Sequence, residues 1–554
     1  MRKPTLATRK AGAILVLSVS LALIVSACGG SSSSGGGGGS TASLSGLYGP
    51  STSSACSGTP VKGGDLVYER QAAMQTTDPL NPRNGNGDIF GYNLIYSGLV
   101  RSDPTGKTNK IVPSLAQSWD VSADGKTYTF HLRPGIKFSN GQPVTADDVA
   151  WTLNRFGNPK INAIMSAVAI GFGHASAVDQ STVKVQLTKP IASFLYNISI
   201  WPAFILPKDL VEKQGSSFYK HPVGTGPFMM KEFAKGSHIT FVRNPYYWEQ
   251  GKPYLDSVRF NFVSDSNTRI LALRAGDADV MDVVPFSQIS SLRADKNIQV
   301  QAAKVPLFLG LWLNHLKAPF KDINVRKALQ YAIDRPLLNK QIFAGLGEIP
   351  NSVLMGFAMD APDSVVKPYP YDVAKAKQLM AQSKYPKGFS TTLQYPAGTD
   401  FYKQLALALQ QEFGAIGIKV KLVEQDTATV TNNWFTRKFD MVFPFASFTS
   451  DLTVPDEYAD FLANWDNGFH GFETSWRNPQ IQQQVIQFET TRSDADRAKQ
   501  WATIQQALMD QTPVAAVLHL PFINAHLPNV CGTDLDGLGS DHLENTWFAS
   551  KKAG

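Results

Sequence analysis

The sequence predicts an α/β protein of at least two lobes behind an export signal. Segments with the two-residue alternation of strands interchange with segments of helical period, which is typical of sheets covered by helices. Roughly 490 of the 554 residues follow residue 58, and a chain of that length exceeds what one hydrophobic core usually supports. These two observations predict the fold class and the number of lobes.

Residues 1–27 predict a lipoprotein signal peptide. Basic residues precede an uncharged apolar run, Ala11–Val25, which is too short to span about 30 Å of hydrocarbon and fits a secretory signal. The run ends at Val25-Ser26-Ala27-Cys28, which resembles a bacterial lipobox in which Cys28 carries the lipid. An ordinary cleaved signal with a chance cysteine is the alternative, and the Ser/Gly run that follows favours the lipid anchor.

Residues 28–58 predict a flexible tether. Residues 29–58 contain no Asp, Glu, Lys or Arg and include the runs Ser31–Ser34 and Gly35–Gly39, so this stretch cannot bury enough apolar surface to fold. The net charge of +7 comes from 52 basic and 45 acidic residues. Four of the basic residues and none of the acidic ones precede Cys28, which leaves 48 against 45, or +3, in a cleaved chain. This small balance argues against a nucleic-acid partner.

Cysteine usage is consistent with export. With Cys28 lipidated, Cys56 and Cys531 remain as an even pair in an oxidising compartment. We expect them to form a disulfide, which would place both ends of the body in one lobe; two independent buried thiols are the alternative. The cysteines have no metal-ligand spacing, so we expect neither a metal site nor a cofactor.

Strand and helix periods place the elements along the chain. Thr145 and Asp148 form a capping box that begins one helix, and Gly414 and Gly417 end another. The predicted strands are Asp65–Arg70, the hairpin Gln117–Ser122 with Thr127–Leu132, Val183–Leu187, Pro227–Phe233, His238–Arg243, Ile418–Val423, Asp440–Phe445 and Val514–Leu518. The other predicted helices are Asp88–Val100, Asp322–Asp334, Asp372–Gln382, Phe401–Phe413 and Asp494–Met509.

Common catalytic motifs are absent from the sequence. It contains no G-x-S-x-G elbow, no H-E-x-x-H and no G-x-G-x-x-G after a strand, so we expect a protein that is not an enzyme. His519 lies in an apolar segment and is interpreted as a core side chain. His470 could bind a metal chelate, although a lone histidine in a loop is more often structural.

One segment, Phe439–Trp476, is chemically distinct. It contains seven carboxylates and ten aromatic residues but no Lys or Arg, and carboxylates beside aromatic rings suit an ammonium group. Composition by itself favours the alternative, a solvated acidic helix beside an aromatic core, with most of the acids on the surface. These acids are Asp440, Asp451, Asp456, Glu457, Asp460, Asp466 and Glu473.

Six stretches distributed along the body carry a family signature. They are IVPSLAQSW (111–119), DGKTYTFHLR (124–133), KFSNGQPVTADDV (137–149), GTGPF (224–228), RNPYYW (243–248) and NVRKALQYAID (324–334). In this order they resemble the family 5 extracellular solute-binding proteins, the peptide and nickel receptors of ABC importers.

The resemblance implies a two-lobed periplasmic-binding-protein-like fold (type II) with an extra subdomain in the first lobe. The first lobe would comprise residues 59–302, with the subdomain at about 88–221, and the second lobe residues 303–508. Residues 509–554 would return to the first lobe. Ligand would lie between the lobes and be enclosed when they close.

The segment 447–455, with an Asp followed four residues later by a Pro, resembles the peptide-binding motif of the family. Asp451 would pair with the α-amino group of a peptide. The main chain at Ser447 and Thr449 would bind the peptide backbone as an added strand. Phe448 takes the place of the usual Trp, which retains aromatic stacking but removes the indole donor.

The resemblance also implies a function, that of a substrate-binding lipoprotein of an ABC importer. We expect a monomer, lipid-anchored outside the bacterial cytoplasm, that captures a small-molecule or oligopeptide ligand and delivers it to an ABC permease. Receptors for a nickel chelate, a sugar or an opine are alternatives, as is a surface interaction lipoprotein.

Overall fold

One long mixed sheet and a smaller antiparallel sheet organise the protein. The computed structural model describes residues 54–82, 85–105, 108, 110–161, 166–444, 448–449, 452–465, 474–533, 535 and 541–549. These residues belong to one unit, Leu44–Gly554. The predicted signal peptide, Cys28 and most of the predicted tether lie outside the described residues.

The strands are numbered in chain order. They are β1 (Asp65–Arg70), β2 (Val100–Ser102), β3 (Ile111–Pro113), β4 (Ala116–Val121), β5 (Thr127–Leu132), β6 (Phe172–Ala177), β7 (Thr182–Leu187), β8 (Phe228–Ala234), β9 (His238–Arg243), β10 (Ser257–Phe262), β11 (Val280–Met281), β12 (Gln299–Leu313), β13 (Phe389–Pro396), β14 (Ile418–Gln425), β15 (Met441–Val442), β16 (Phe448–Thr449), β17 (Val514–His526), β18 (Val530–Cys531) and β19 (Trp547–Phe548).

The α-helices lie between these strands. They are α1 (Gly85–Ile95), α2 (Ala146–Phe156), α3 (Phe194–Asn197), α4 (Lys208–Gln214), α5 (Ser266–Ala275), α6 (Ile289–Ala294), α7 (Ala318–Lys321), α8 (Ile323–Ala332), α9 (Arg335–Ile342), α10 (Val373–Gln382), α11 (Asp400–Gly414), α12 (Thr427–Phe435), α13 (Asp456–Ala463), α14 (Pro479–Thr490) and α15 (Asp494–Gln511). The predicted α/β class is confirmed.

The large sheet has two halves joined by two central strands. Its order is β14-β13-β15-β12-β17-β11-β1-β10-β9-β8, with β16 paired to β12. We call β1 and β8–β11 the first half-sheet and β13–β15 the second half-sheet. Each half contains parallel pairs, β1 with β10 and β11, and β13 with β14 and β15. The central strands β12 and β17 are antiparallel and connect the two halves.

A separate antiparallel sheet, in the order β4-β5-β7-β6, forms the core of a small unit together with α2 and α3. Buried and less buried residues alternate along β5 and β7, so one face of this sheet packs on a core and the other faces outward. The predicted hairpin corresponds to β4 and β5.

Local capping explains where helix α2 begins. The Thr145 hydroxyl accepts a hydrogen bond from the Asp148 amide at 3.3 Å, and the Asp148 carboxylate accepts one from the Thr145 amide at 2.9 Å. This reciprocal pair satisfies two amides that the helix itself leaves unpaired. The predicted capping box is confirmed.

Helix α1 ends earlier than the prediction Asp88–Val100. The helix ends at Ile95, and Val100 begins β2. The Ser97 amide donates to the Thr225 hydroxyl at 3.1 Å, which takes it out of the helical pattern. A side chain at Gly98 would meet the Val100 carbonyl, so the chain turns where a residue without Cβ allows it.

The long central strand β12 was not predicted. Nine consecutive residues at its end are buried, because helices or strands cover both faces, and such a run lacks the two-residue alternation of a half-exposed strand. For the same reason β17, predicted as Val514–Leu518, extends through buried residues to His526. The predicted strand Asp440–Phe445 is shorter, because β15 ends at Val442 and Pro444 has no amide to donate.

Cys56 and Cys531 form a disulfide with a Cα–Cα distance of 5.5 Å. Cys56 lies in a short 3-10 helix and Cys531 in β18, which pairs with β19. The bond ties the first described residues to the C-terminal strands. None of the described helices is both long enough and apolar enough to cross a bilayer.

Two hydrophobic cores matter for the site. One lies under the second half-sheet and includes Leu393, Leu405 and Ile418. The other joins Phe130 of the small unit with Trp501 of α15 in one continuous cluster. The small unit and helices α13–α15 therefore share apolar packing although their residues are distant in sequence.

Candidate functional site

The pairing of the two central strands is interrupted within β12. Regular pairing with β17 stops between Ala303 and Leu307. Pro306 lies in this interval and has no amide hydrogen for a neighbouring strand. Its carbonyl accepts a hydrogen bond from the Tyr458 hydroxyl of α13 at 3.0 Å. At this point β12 contacts partners other than β17.

The predicted peptide-binding segment lies against this part of β12. Phe448–Thr449 form β16, which pairs antiparallel with Leu307–Phe308. The same two residues of β12 pair with β17 on their other edge, so β16 adds a strand where the two half-sheets meet. Ser447 and Asp451, the other two predicted site residues, lie outside the described residues.

The acidic helix expected on the surface is buried. Asp456, Glu457 and Asp460 of α13 are 4%, 4% and 2% exposed, so the expectation of solvated acids is wrong for these three. The Asp456 carboxylate lies 2.5 Å from the Arg497 guanidinium, and the Asp460 carboxylate accepts a hydrogen bond from the side-chain amide of Asn464 at 2.5 Å. A carboxylate with such a partner can be buried where an isolated one cannot.

Arg497 is a residue of this region that no sequence pattern indicates. Its guanidinium pairs with Asp456, donates to the Phe488 carbonyl at 2.9 Å and lies 4.1 Å from the Phe488 ring centroid. Burial raises the pKa of the Asp456 carboxyl, and the Arg497 charge opposes that rise. Asp456 and Arg497 are 41 positions apart, and no local sequence pattern links residues at that separation.

A cavity of about 360 Å³ lies between the small unit, the start of α15 and the loops at Met359 and Val454. Tyr128, Ile191 and Val454 are buried in its wall, whereas Arg492 and Asp494 are exposed at its rim. Val454 is three positions after the predicted anchor. Apolar walls with one cation and one anion at the rim suit a ligand group of mixed polarity.

Hydrogen bonds and an ion pair beside this cavity join the small unit to α14 and to the loop that follows α14. The Ala192 amide donates to the Glu489 carbonyl at 2.9 Å, and the Lys189 ammonium lies 3.4 Å from the Glu489 carboxylate. The Arg492 guanidinium donates to the Ala123 carbonyl at 2.7 Å. These contacts hold the small unit against the helices that follow the predicted peptide-binding segment.

His519 of β17 lies in the core next to the site. Burial lowers its pKa to about 4, so the ring is neutral at pH 7. Its main chain exchanges two hydrogen bonds with that of Glu348. His470 lies outside the described residues. Within the described ranges, no group of three His, Cys, Asp or Glu side chains could hold a metal ion.

Comparison with known families identifies the chain. The family model for bacterial extracellular solute-binding proteins, family 5 (middle region), matches residues 110–470, which is more than half of the chain. Members of this family are solute-binding proteins, as the sequence signature indicated.

Individual relatives agree with the family match. The glutathione-binding protein GsiB of Shigella flexneri serotype 5b (strain 8401) is 30% identical over 483 residues, which are 84% of this chain and 91% of that protein. The ABC transporter-associated periplasmic binding protein DppA from Helicobacter pylori, in complex with the peptide STSA, has a TM-score of 0.80 and 26% identity; the match covers 88% of this chain and 99% of that one.

A third similar protein was solved with a different ligand. The structure of AgaA from A. tumefaciens R10, in complex with agropinic acid, has a TM-score of 0.79 and 28% identity, and the match covers 88% of this chain and 99% of that chain. The predicted two-lobed type II fold is confirmed by these superpositions. The chain belongs to family 5 of the bacterial extracellular solute-binding proteins.

Proposed function

We propose that this protein is the substrate-binding lipoprotein of an ABC importer and that its ligand is an amine-bearing solute, above all an oligopeptide. The observation that carries the proposal is the position of β16. The segment that resembles the family's peptide-binding motif lies on a central strand where the two half-sheets meet. A ligand at this point is within reach of both halves.

The geometry of β16 supports binding of an extended peptide. Successive residues of a strand direct their N–H and C=O groups to opposite edges. The main-chain N–H and C=O groups of one residue of Phe448–Thr449 therefore point toward β12, and those of the other residue point away from β12. An extended peptide could pair with that second edge, which gives affinity with little dependence on the side chains of the peptide.

Asp451 is the proposed anchor for the ligand's α-amino group. The chain before it is held in β16, and Leu452 directly after it is 2% exposed. A charged amine enclosed without a partner costs several kcal/mol, and a carboxylate beside it removes that cost. Such an anchor favours ligands with a free amine over otherwise similar ligands without one.

Capture would occur by closure of two lobes around the ligand. We propose a first lobe of residues 59–302, with a subdomain at about 88–221, a second lobe of residues 303–508, and a return of residues 509–554 to the first lobe. The contacts of Lys189 and Ala192 with Glu489 would then join the lobes in the closed state. A ligand that contacts both lobes favours this state.

The proposed lipid anchor would hold the protein on the outer face of the bacterial cell membrane. A lipid on Cys28 would hold the body there through the tether 28–58, and a monomer would present the ligand to a membrane permease. Growth with a labelled fatty acid should label the wild type and leave Cys28→Ser unlabelled, whereas equal labelling would refute the anchor. Light scattering of the eluted protein should give the mass of one chain.

Calorimetry with Asp451→Asn tests the ligand site. We expect a tripeptide with a free amine to bind this variant at least tenfold more weakly than the wild type, on the order of 1.4 kcal/mol. The N-acetylated tripeptide should bind both proteins equally weakly, because it has no ammonium group. Glutathione serves as a second ligand with a free amine in the same calorimetric titrations.

Asp496→Asn is the matched control, because Asp496 is exposed on α15 and carries the same charge. It should bind the tripeptide as the wild type does. If Asp451→Asn binds the tripeptide with unchanged affinity, Asp451 does not bind the ligand's amine. Mass spectrometry of the small molecules that co-purify would distinguish a peptide from a nickel chelate, a sugar or an opine, and an empty, peptide-insensitive protein would favour the surface interaction lipoprotein.

A further inference from the structure

Seven lysines surround one end of the second half-sheet. Two of them, Lys419 and Lys421, lie on the edge strand β14 and are exposed, whereas Ile418 and Val420 are buried and Leu422 is half-buried. They pair in register with Ser390 and Thr392 of β13. Because side chains alternate along a strand, all four lie on one face of the sheet.

Three further lysines lie next to the start of β13. The ring of Phe389, the first residue of β13, is 6.0 Å from that of Phe320 in α7 and 5.4 Å from that of Tyr385. These contacts bring the end of α7 and the loop before β13 to the same end of the sheet. The exposed lysines on these two segments are Lys321, Lys384 and Lys387.

The remaining two lysines border the exposed face of β13. The Asp440 carboxylate accepts a hydrogen bond from the Thr392 hydroxyl at 2.9 Å and lies 3.2 Å from the Lys317 ammonium. The Lys438 carbonyl accepts a hydrogen bond from the Gln394 side chain at 2.9 Å. We call the seven residues the lysine face: Lys317, Lys321, Lys384, Lys387, Lys419, Lys421 and Lys438.

The lysine face is mostly uncompensated. Two carboxylates lie within it, Asp440 and Asp322, and the latter accepts a hydrogen bond from the Lys384 amide at 2.8 Å. Within the described part of the chain, Lys317 is the one member that forms an ion pair. Residues 303–444 contain 17 basic and 11 acidic residues, a net charge of +6. The cleaved chain as a whole has +3, so its small total hides a charge difference between regions.

We propose that the lysine face contacts the anionic headgroup surface of a lipid bilayer. Clusters of four to eight Lys or Arg residues are attracted to anionic lipids, and the attraction acts within a Debye length of about 8 Å at physiological salt. Four of the seven lysines lie on or beside the exposed face of the sheet and three lie in the segments at its end. Lysines suit headgroups as flexible point charges. This contact goes beyond solute transport, because it sets the orientation of the body on the membrane.

The choice of a membrane as the partner of the lysine face rests on the proposed lipid anchor. The disulfide holds Cys56 to the body, so the free tether is residues 28–55, which span at most about 90 Å when extended. A body of roughly 500 residues has a radius of gyration of about 23 Å and so a diameter near 60 Å. The tether is long enough for any face of the body, including the lysine face, to meet the bilayer.

Amine footprinting of the whole lipidated protein on vesicles tests the contact. Vesicles of phosphatidylcholine alone are compared with vesicles that contain about 30% phosphatidylglycerol, and lysine acetylation is measured residue by residue by mass spectrometry. On the anionic vesicles we expect labelling of Lys419 and Lys421 to fall at least about threefold, and to recover at 1 M salt, where the Debye length is about 3 Å. The exposed Lys184 and Lys231 of the first half of the chain should change little.

Charge reversal supplies the second readout. Lys419→Glu with Lys421→Glu should abolish the protection of Lys384 and Lys387, whereas Lys184→Glu with Lys231→Glu should leave it unchanged, and circular dichroism checks that both variants fold. Flotation with phosphatidylcholine vesicles reports the lipid anchor separately. Equal labelling on the two vesicle types, whether high or low, would overturn the proposal, as would protection that persists at 1 M salt.

Discussion

Removing the charge of Asp456 should destabilise this protein much more than removing an exposed charge. Asp456→Asn leaves the Arg497 guanidinium, whose side chain is 4% exposed, without its counter-charge. Breaking a buried pair from one side costs roughly 3–5 kcal/mol. An unfolding entropy of about 2.1 cal/mol/K per residue, over a body of roughly 500 residues, is about 1 kcal/mol/K, so the melting temperature should fall by about 3–5 °C.

Differential scanning calorimetry at pH 7 measures this shift, and a matched control isolates its cause. Asp496 forms an exposed pair with Lys499 at 3.6 Å, with side chains that are 61% and 81% exposed. Asp496→Asn should therefore shift the melting temperature by less than about 1 °C. Adding Arg497→Met to Asp456→Asn should recover part of the loss, because no charge then remains buried. Equal shifts for the two Asn variants, or a double variant less stable than Asp456→Asn, would refute the reasoning.

Two further predictions concern pH and the disulfide. Burial raises the pKa of Asp541 to about 6 from 3.8, so the stability that it contributes is present below about pH 4 and is lost as the pH rises through 6. Relative to Asp541→Asn, the wild type should lose on the order of 3 kcal/mol between pH 4 and pH 7 in urea titrations, and parallel profiles would contradict this. Peptide mapping without reductant should link Cys56 to Cys531, and replacing both by Ser should lower the unfolding free energy by roughly 2–5 kcal/mol, because the bond joins residues 475 positions apart. Two titratable thiols in the unfolded wild type would disprove the bond.

Local sequence signals predicted the elements that depend on neighbouring residues. The capping box of α2 involves residues three positions apart, and the hairpin of β4 and β5 follows from alternation on either side of one turn. The strand His238–Arg243 was predicted with the bounds that the structure has. In each case the hydrogen bonds or the pattern that decide the structure lie within a few residues.

Elements that depend on distant residues were predicted less well. β12 was missed because its burial comes from strands and helices on both faces, which removes the alternation. α1 was predicted too long because the Ser97 amide bonds with Thr225, which is 128 positions away. No local pattern contains that information.

The candidate site shows the same division. The sequence predicted the segment around Phe448 and Thr449 by its resemblance to a family motif, but the antiparallel pairing of this segment with β12 is a tertiary contact. Composition placed the acids of α13 on the surface, whereas the structure buries Asp456 against Arg497. Composition also suggested a nearly neutral body, although folding gathers seven lysines around one end of the second half-sheet.

The sequence by itself determined the α/β class, the capping box of α2 and the membership of family 5. These follow from periodicity, from contacts within one turn and from motifs that are read in order along the chain. Only the tertiary structure decided which charges are buried, which strand receives β16, and where the lysines gather. The energies of burial and charge pairing depend on the distance between groups in space, and folding brings those groups together from positions tens to hundreds of residues apart.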